Sequence, residues 1–197
     1  MAPIKRLASL HALYYCPDVP VAEARASELA LAGMSGVQAV TRLASLEDRL
    51  IAERPHMLML DMDDDPDDVL QMVRRLRRGR LGPDPFLATL ACCKGVTSDL
   101  ARKFASAGFD RILNKPYTPD VVILHMKEIA EARRRFVATK GYVGPDRRRG
   151  LRDLNQPGVI DVPNRIAATL AGASFDWDGY LARAANWRTQ LDQLGAV

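Results

Sequence analysis

Arg111-Ile-Leu-Asn-Lys-Pro-Tyr117, read together with Pro55-His-Met-Leu-Met-Leu-Asp61, decides how this chain folds. Each is a short apolar run that ends on one functional group, an ammonium at Lys115 and a carboxylate at Asp61. Runs of this length, bounded by polar residues, read as buried strands. In a parallel α/β sheet both groups emerge at the carboxyl edge, where such sheets bind ligands. A nucleophilic carboxylate beside a lysine is the core of a phosphoryl-accepting site.

Outward from these two runs, short apolar stretches alternate with longer periodic ones up to about residue 138. Ala12 to Cys16 reads as a first strand, followed by a helix from Val21 to Ala32 that Gly33 ends. Gly36 to Val40 is a weak second strand and Leu46 to Glu53 a short helix. Met57 to Asp61 is the third strand, followed by a helix from Asp67 to Arg78 with Val69, Leu70, Val73 and Leu76 on one face. Phe86 to Cys92 is the fourth strand, Ser98 to Ala107 a helix with Gly108 after it, and Arg111 to Asn114 the fifth strand. A long helix from about Asp120 to Phe136 closes the unit. Five βα repeats predict an α/β fold with a doubly wound, five-stranded parallel sheet in the order 2-1-3-4-5. That order places the Asp61 strand at the centre.

After Phe136 the character changes. Residues 137–149 hold two glycines and a proline and read as a turn-rich connector, and Pro157-Gly158 marks another turn. Val162 to Ala171 reads as a short helix with Pro163 in its first turn. From about Asp176 to Leu194, Trp177, Tyr180, Leu181, Ala184, Trp187, Leu191 and Leu194 make an apolar stripe, hence an amphipathic helix. It either packs back on its own domain or meets a partner helix in a groove, with Trp177, Tyr180 and Trp187 as the partner-binding residues. The expected division is 9–138 for the α/β domain and 139–197 for the connector and helical C-terminal extension.

With 48% hydrophobic and 26% charged residues the chain has ample apolar material for a core. No apolar stretch approaches the ~20 residues of a membrane-spanning helix. The N-terminus lacks an apolar signal core, so a cytoplasmic location is expected. Three cysteines, two of them adjacent, are not a secreted disulfide framework. The net charge of +4 is carried by arginine clusters: Arg74, Arg75, Arg77, Arg78 and Arg80; Arg133 to Arg135; Arg147 to Arg149 with Arg152. Scattered helix-borne clusters are more often solvated faces than a nucleic-acid footprint.

The βα repeats with Asp61 and Lys115-Pro116 resemble the receiver domain of bacterial response regulators, a flavodoxin-like fold of two-component signalling, over roughly residues 9 to 138. The segment 55–61 looks like the family's Pro-Asp-apolar-Asp strand, and 108–117 like its Gly-Ala-Asp-x-x-apolar-x-Lys-Pro-Phe segment. The tail from Phe136 to Arg149, followed by Val162-Pro-Asn-Arg165, is similar to an extension found after some single-receiver proteins, notably from alphaproteobacteria. The resemblance implies Asp61 as phospho-acceptor, Lys115 as a charge-assisted donor to the phosphoryl group, a cis peptide before Pro116, and Mg²⁺ as the cofactor. It also implies metal ligation by Asp61 and by the backbone carbonyl of Asp63; the side chains of Asp63, Asp64 and Asp65 are expected to point to solvent.

Four positions depart from that pattern. The acidic pair that ends the first strand falls on Cys16 and Pro17. Mg²⁺ wants hard oxygen ligands, which neither residue supplies, so Mg²⁺ is doubtful; Asp18 reaches the site only if its loop shifts by one residue. The Ser or Thr that contacts the phosphoryl group is Cys93, a weak donor. The aromatic switch partner is Ile112, which has no polar tip to gate. Cys16 and Cys92 or Cys93 end strands that flank Asp61, but strands 1 and 4 lie two spacings apart, roughly 9–10 Å, too far for a disulfide. No zinc ligand set is evident either.

The expected function is therefore signalling by protein–protein contact, not catalysis, with atypical or lost Mg²⁺-dependent phosphorylation at Asp61. The alternative is a fully phosphorylatable receiver in a histidine-kinase phosphorelay; a third is nucleic-acid binding through Arg133–Arg135 and Arg147–Arg149. Expected partners are a histidine kinase, a phosphotransfer protein or another signalling protein, with a homodimer open and no membrane.

Overall fold

The computed structural model describes residues 4–63, 66–148 and 158–196. The expected roles of Asp64, Asp65, Arg149 and Arg152, and Pro157 of the expected turn, lie outside the described residues. A 3-10 turn at Ile4–Ser9 leads into five strands: β1 (Ala12–Tyr15), β2 (Val37–Val40), β3 (Met57–Asp61), β4 (Ala88–Lys94) and β5 (Arg111–Lys115). They form a single sheet in the order β2-β1-β3-β4-β5, with every pairing parallel. The helices between them are α1 (Val19–Leu31), α2 (Leu43–Ala52), α3 (Pro66–Arg77) and α4 (Ser98–Ala107), with α5 (Pro119–Glu131) after the last strand.

Alternation along the strands divides the interior into two layers. Ala12, Tyr14, Cys16, Met57, Met59, Leu90, Cys92 and Leu113 meet Ala22 and Leu29 of α1 and Val122 and Met126 of α5. Leu13, Tyr15, Leu58, Leu60, Ala91 and Cys93 meet Leu46 of α2, Val69, Val73 and Leu76 of α3, and Phe104 of α4. Strands buried on both faces explain why the sequence shows continuous apolar runs rather than alternation.

The chain departs from the expected pattern after α5. The closing helix stops at Glu131 rather than continuing to Phe136. Tertiary contacts override helical spacing here: Arg133 turns back to hydrogen-bond Asp110 and the Phe86 carbonyl. Phe136 is fully buried, edge-on to Phe86 at 5.3 Å. Where a connector was expected, β6 (Phe136–Thr139) and β7 (Tyr142–Pro145) form an antiparallel hairpin, and β8 (Val159–Ile160) adds to the other edge of β6. The line expected between 138 and 139 thus falls inside β6.

Two helices complete the extension, α6 (Arg165–Ala171) and α7 (Trp177–Gln193). Tyr180, Ala184, Trp187 and Leu191 form the buried face of α7. Trp187 lies against Phe86 at 5.8 Å and Phe136 at 6.5 Å, and its ring N–H donates to the Arg77 carbonyl at 3.1 Å. Of the residues expected to bind a partner, Tyr180 and Trp187 are thus enclosed in a third core of the same chain. Trp177 is half-buried, edge-on to Phe175 at 5.1 Å and under the Arg165 guanidinium at 4.3 Å. The terminal helix packs back on its own chain.

Polar groups lock the extension to the amino end of the main sheet. Arg165 donates to Asp84 and to the carbonyls of Arg54 and Pro55, which lead into β3. Tyr180 donates to the other Asp84 oxygen. The carboxyl edge of the sheet is left clear of these elements.

Candidate functional site

Asp61 and Lys115 are the last residues of adjacent-but-one strands, so the parallel register carries both to the same rim. There an open pocket of about 520 Å³ is lined by Tyr14, Cys16, Asp18, Asp61, Asp63 and Lys115, among others. The Lys115 ammonium bonds directly to Asp61 Oδ2 and lies 2.9 Å from Asp63 Oδ2. The Lys115–Pro116 peptide bond is cis.

The Asp61 carboxylate is only 4% exposed, and the chain supplies donors to both of its oxygens. Oδ1 accepts the Asp63 backbone N–H at 3.2 Å. Oδ2 accepts Lys115 and the Tyr14 hydroxyl, the latter at 3.1 Å. The Asp63 side chain turns inward instead of pointing to solvent, because Lys115 and the Lys94 backbone N–H, at 2.7 Å, both bind it. Burial alone would lift the Asp63 pKa, but these donors outweigh it and hold the carboxyl below its ordinary value. Burial likewise works to lower the Lys115 pKa, and the two carboxylates reverse the sign, holding the ammonium charged above its ordinary value.

Cys16 follows β1 beside Asp61. Burial first, and then the Asp61 charge, push its thiol up to about 11, so it stands there neutral. Cys92, paired in register with Asp61, is pushed up to about 12, chiefly by burial. All three cysteines are free. Asp18 lines the pocket, but its carboxylate caps α1, accepting the Val21 N–H at 3.1 Å. The shift needed to make it a ligand would cost that cap, worth about 1 kcal/mol. Asp61 and Asp63 are the carboxylates in position for a hard cation, and both already hold Lys115. Among the described residues, no group of three or more His, Cys, Asp or Glu is arranged to hold a metal ion.

Of the two switch positions, Cys93 is near enough to the pocket that, after burial, the Asp63 and Asp61 charges raise its pKa against the pull of Lys115. Cys93 lies in the layer on the opposite face of the sheet from Asp61's neighbours Cys16 and Cys92. Ile112 packs against that same layer. Tyr14 was not singled out from the sequence, where an aromatic inside a strand reads as core. Two signals were nonetheless available: Tyr14 shares a face with Cys16, and a tyrosine has the length to reach the neighbouring strand's end.

No family model matches the sequence, and no curated protein matches it. Solved structures do match in fold. A response regulator from Thermotoga maritima superposes with a TM-score of 0.53 at 18% identity, over 62% of this chain and 99% of that one. A CheY-like receiver domain protein from Methanospirillum hungatei gives 0.51 at 16% identity, over 60% and 91%. A putative pilus assembly protein from Burkholderia thailandensis gives 0.52 at 20% identity, over 62% and 99%. The fold is that of response-regulator receiver domains, and about two fifths of this chain lies outside each match. Among the described residues, no helix is long and apolar enough to cross a membrane.

Proposed function

We propose that this chain is a receiver-like signalling protein that acts by binding other proteins, and that Asp61 does not serve as a Mg²⁺-dependent phosphoryl acceptor. The observation that carries this reading is the filled state of the Asp61 carboxylate, whose oxygens hold Lys115, Tyr14 and the Asp63 N–H. Phosphoryl transfer relies on positioning and charge neutralisation by metal and lysine. The residues here do not fit Mg²⁺, since Cys16 is a neutral thiol, Pro17 has no ligand atom and Asp18 is a cap. The usual loop switch is also poorly supplied, because the Cys93 thiol is a weak donor and Ile112 has no polar tip to gate.

The receiver-like unit is assigned to residues 9–138 and the extension to 139–197, with β6 straddling the line and joining them. Partners are expected among histidine kinases, phosphotransfer proteins and other signalling proteins. Free, buried thiols fit a cytoplasmic setting. Nucleic acid is disfavoured because four arginines of the two clusters are engaged within the chain: Arg133 on Asp110, Arg135 on Asp161, Arg147 on the Phe109 carbonyl and Arg148 on Asp146.

The second reading, a phosphorylatable receiver, is favoured by the shared Asp61–Lys115 pocket itself. Incubation with acetyl phosphate and Mg²⁺ followed by intact mass separates the two. No adduct is expected. An adduct on the natural chain that disappears in Asp61→Asn would establish the second reading instead.

A further inference from the structure

We propose that Tyr14 is a positioning residue that locks Asp61: its hydroxyl, presented from inside the core, pins Oδ2 against Lys115 and keeps that oxygen from an electrophile in the pocket. The lock deepens the reading of Asp61 as a blocked acceptor and rests on it. Replacement of the acidic pair by Cys16 and Pro17 removes metal ligands but would leave the carboxylate oxygen itself exposed. Tyr14 acts on the oxygen.

The geometry supports a lock rather than an incidental contact. Tyr14 is fully buried, so its ring is fixed by the layer formed with α1 and α5 and its hydroxyl has few other places to go. The hydroxyl lies 3.1 Å from Asp61 Oδ2, and both residues line the same pocket. Burial and the Asp61 charge raise its pKa well above the usual phenol range, so it remains a protonated donor throughout the neutral range. A donor held on a carboxylate oxygen occupies the lone pair that would attack and stabilises the charge that attack consumes.

Acyl phosphate formation needs one Asp61 oxygen to attack phosphorus with its lone pair while the bond from phosphorus to the departing acetate breaks and acetate leaves with that electron pair. Removing only the hydroxyl frees one lone-pair position on Oδ2, which still holds Lys115, without opening a cavity. Losing a hydrogen bond to a charged group is expected to raise the labelling rate by roughly tenfold to a hundredfold.

The test is labelling by acetyl phosphate with Mg²⁺, read by intact mass and peptide mapping, on the natural chain, Tyr14→Phe, Tyr14→Phe with Asp61→Asn, and Tyr117→Phe. Tyr117 is the control: its buried hydroxyl lies in the same layer and makes no hydrogen bond to Asp61. A denaturation midpoint confirms that each variant is folded, and Tyr14→Leu replaces Tyr14→Phe if the latter is not. The lock predicts a phosphoryl adduct in Tyr14→Phe that is absent from the double variant, with Tyr117→Phe behaving as the natural chain. A folded Tyr14→Phe as silent as the natural chain overturns the lock and leaves the blocked-acceptor reading intact. An Asp61-dependent adduct on the natural chain overturns that reading, and the ratio of rates then judges the lock: tenfold or more in favour of Tyr14→Phe upholds it, equal rates end it.

Discussion

The two ends of the main sheet use the same chemistry, carboxylates facing arginine or lysine, to opposite ends. At the amino end, Arg77 is wholly buried and all five of its N–H groups find acceptors: Gly108 O at 2.8 Å, Pro85 O at 2.9 Å, Leu87 O and Thr89 Oγ1 at 2.7 Å, and Asp110 Oδ2 at 3.0 Å. Asp110 also takes Arg133, and Asp84 takes Arg165 and Tyr180. The extension closes over these groups and shuts out water. At the carboxyl end, Asp61, Asp63 and Lys115 sit at the floor of an open pocket. Closure, not residue type, makes one set a fastening and leaves the other accessible to a ligand or partner.

That contrast sets the order of expected effects. Arg77→Met leaves Asp110 short of one partner and strands three backbone carbonyls in a sealed interior. Breaking a buried pair in this way costs about 3–5 kcal/mol, and urea unfolding should show it. Trp187→Ala attacks the same closure from the apolar side, where truncating a buried tryptophan costs about 3–5 kcal/mol. If α7 were a loosely held partner-binding helix, its removal from Phe86 and Phe136 would barely move the midpoint, so a loss under about 1 kcal/mol would refute the packing described here.

How far the sequence discloses this follows from what each signal measures. The strand runs at 57–61 and 111–114 and the apolar spacing of α3 and α4 are periodic, and periodicity reports burial of a face, so the sheet and its order were legible. Asp61 and Lys115 were legible as polar groups at strand ends. Tyr14 was not, because strand patterning says which face a residue takes and nothing about what its hydroxyl touches across the sheet. The inward turn of Asp63 depends on the Lys94 backbone N–H, a group present in every residue type and therefore silent in sequence. The end of α5 was misplaced since Phe136 continues the helical spacing, while the contacts that claim it, Phe86 and Trp187, come from distant segments. The hairpin of β6 and β7 is masked in the sequence by Gly141, Gly144 and Pro145, which interrupt the β-favouring residues Val137, Tyr142 and Val143.

A smaller effect should appear on acidification, again at the amino end. His56 accepts the His11 backbone N–H at 3.0 Å and lies 3.0 Å from Thr169 Oγ1, tying the start of β3 to α6. Burial first, then the Arg165 charge, press its pKa down to about 4, against ~6.5 in an unfolded chain. A folded pKa below the unfolded one means that the unfolded chain takes the proton first. Its contribution is therefore complete above about pH 6.5 and declines as pH falls toward 4. Urea midpoints across that window should fall in the natural chain and fall less in His56→Gln, where the neighbouring His11, its pKa also lowered chiefly by burial, keeps part of the slope. An unchanged slope in the variant would show that His56 is not the group that titrates.

The smallest expected change tests the open end. Lys115→Met removes the ammonium that binds both Asp61 and Asp63, yet Asp61 retains the Tyr14 hydroxyl and the Asp63 N–H, and Asp63 retains the Lys94 N–H. Although Asp61 itself is little exposed, these remaining donors and water from the open pocket offset part of the desolvation penalty that makes a sealed pair costly to break. The loss should fall below the ~3–5 kcal/mol of a fully sealed pair and below that of Arg77→Met measured under the same conditions. Comparable losses in the two variants would mean that the rim is as closed as the amino end, and the Asp61–Lys115 pair would then be one more sealed fastening instead of part of a rim open to a partner.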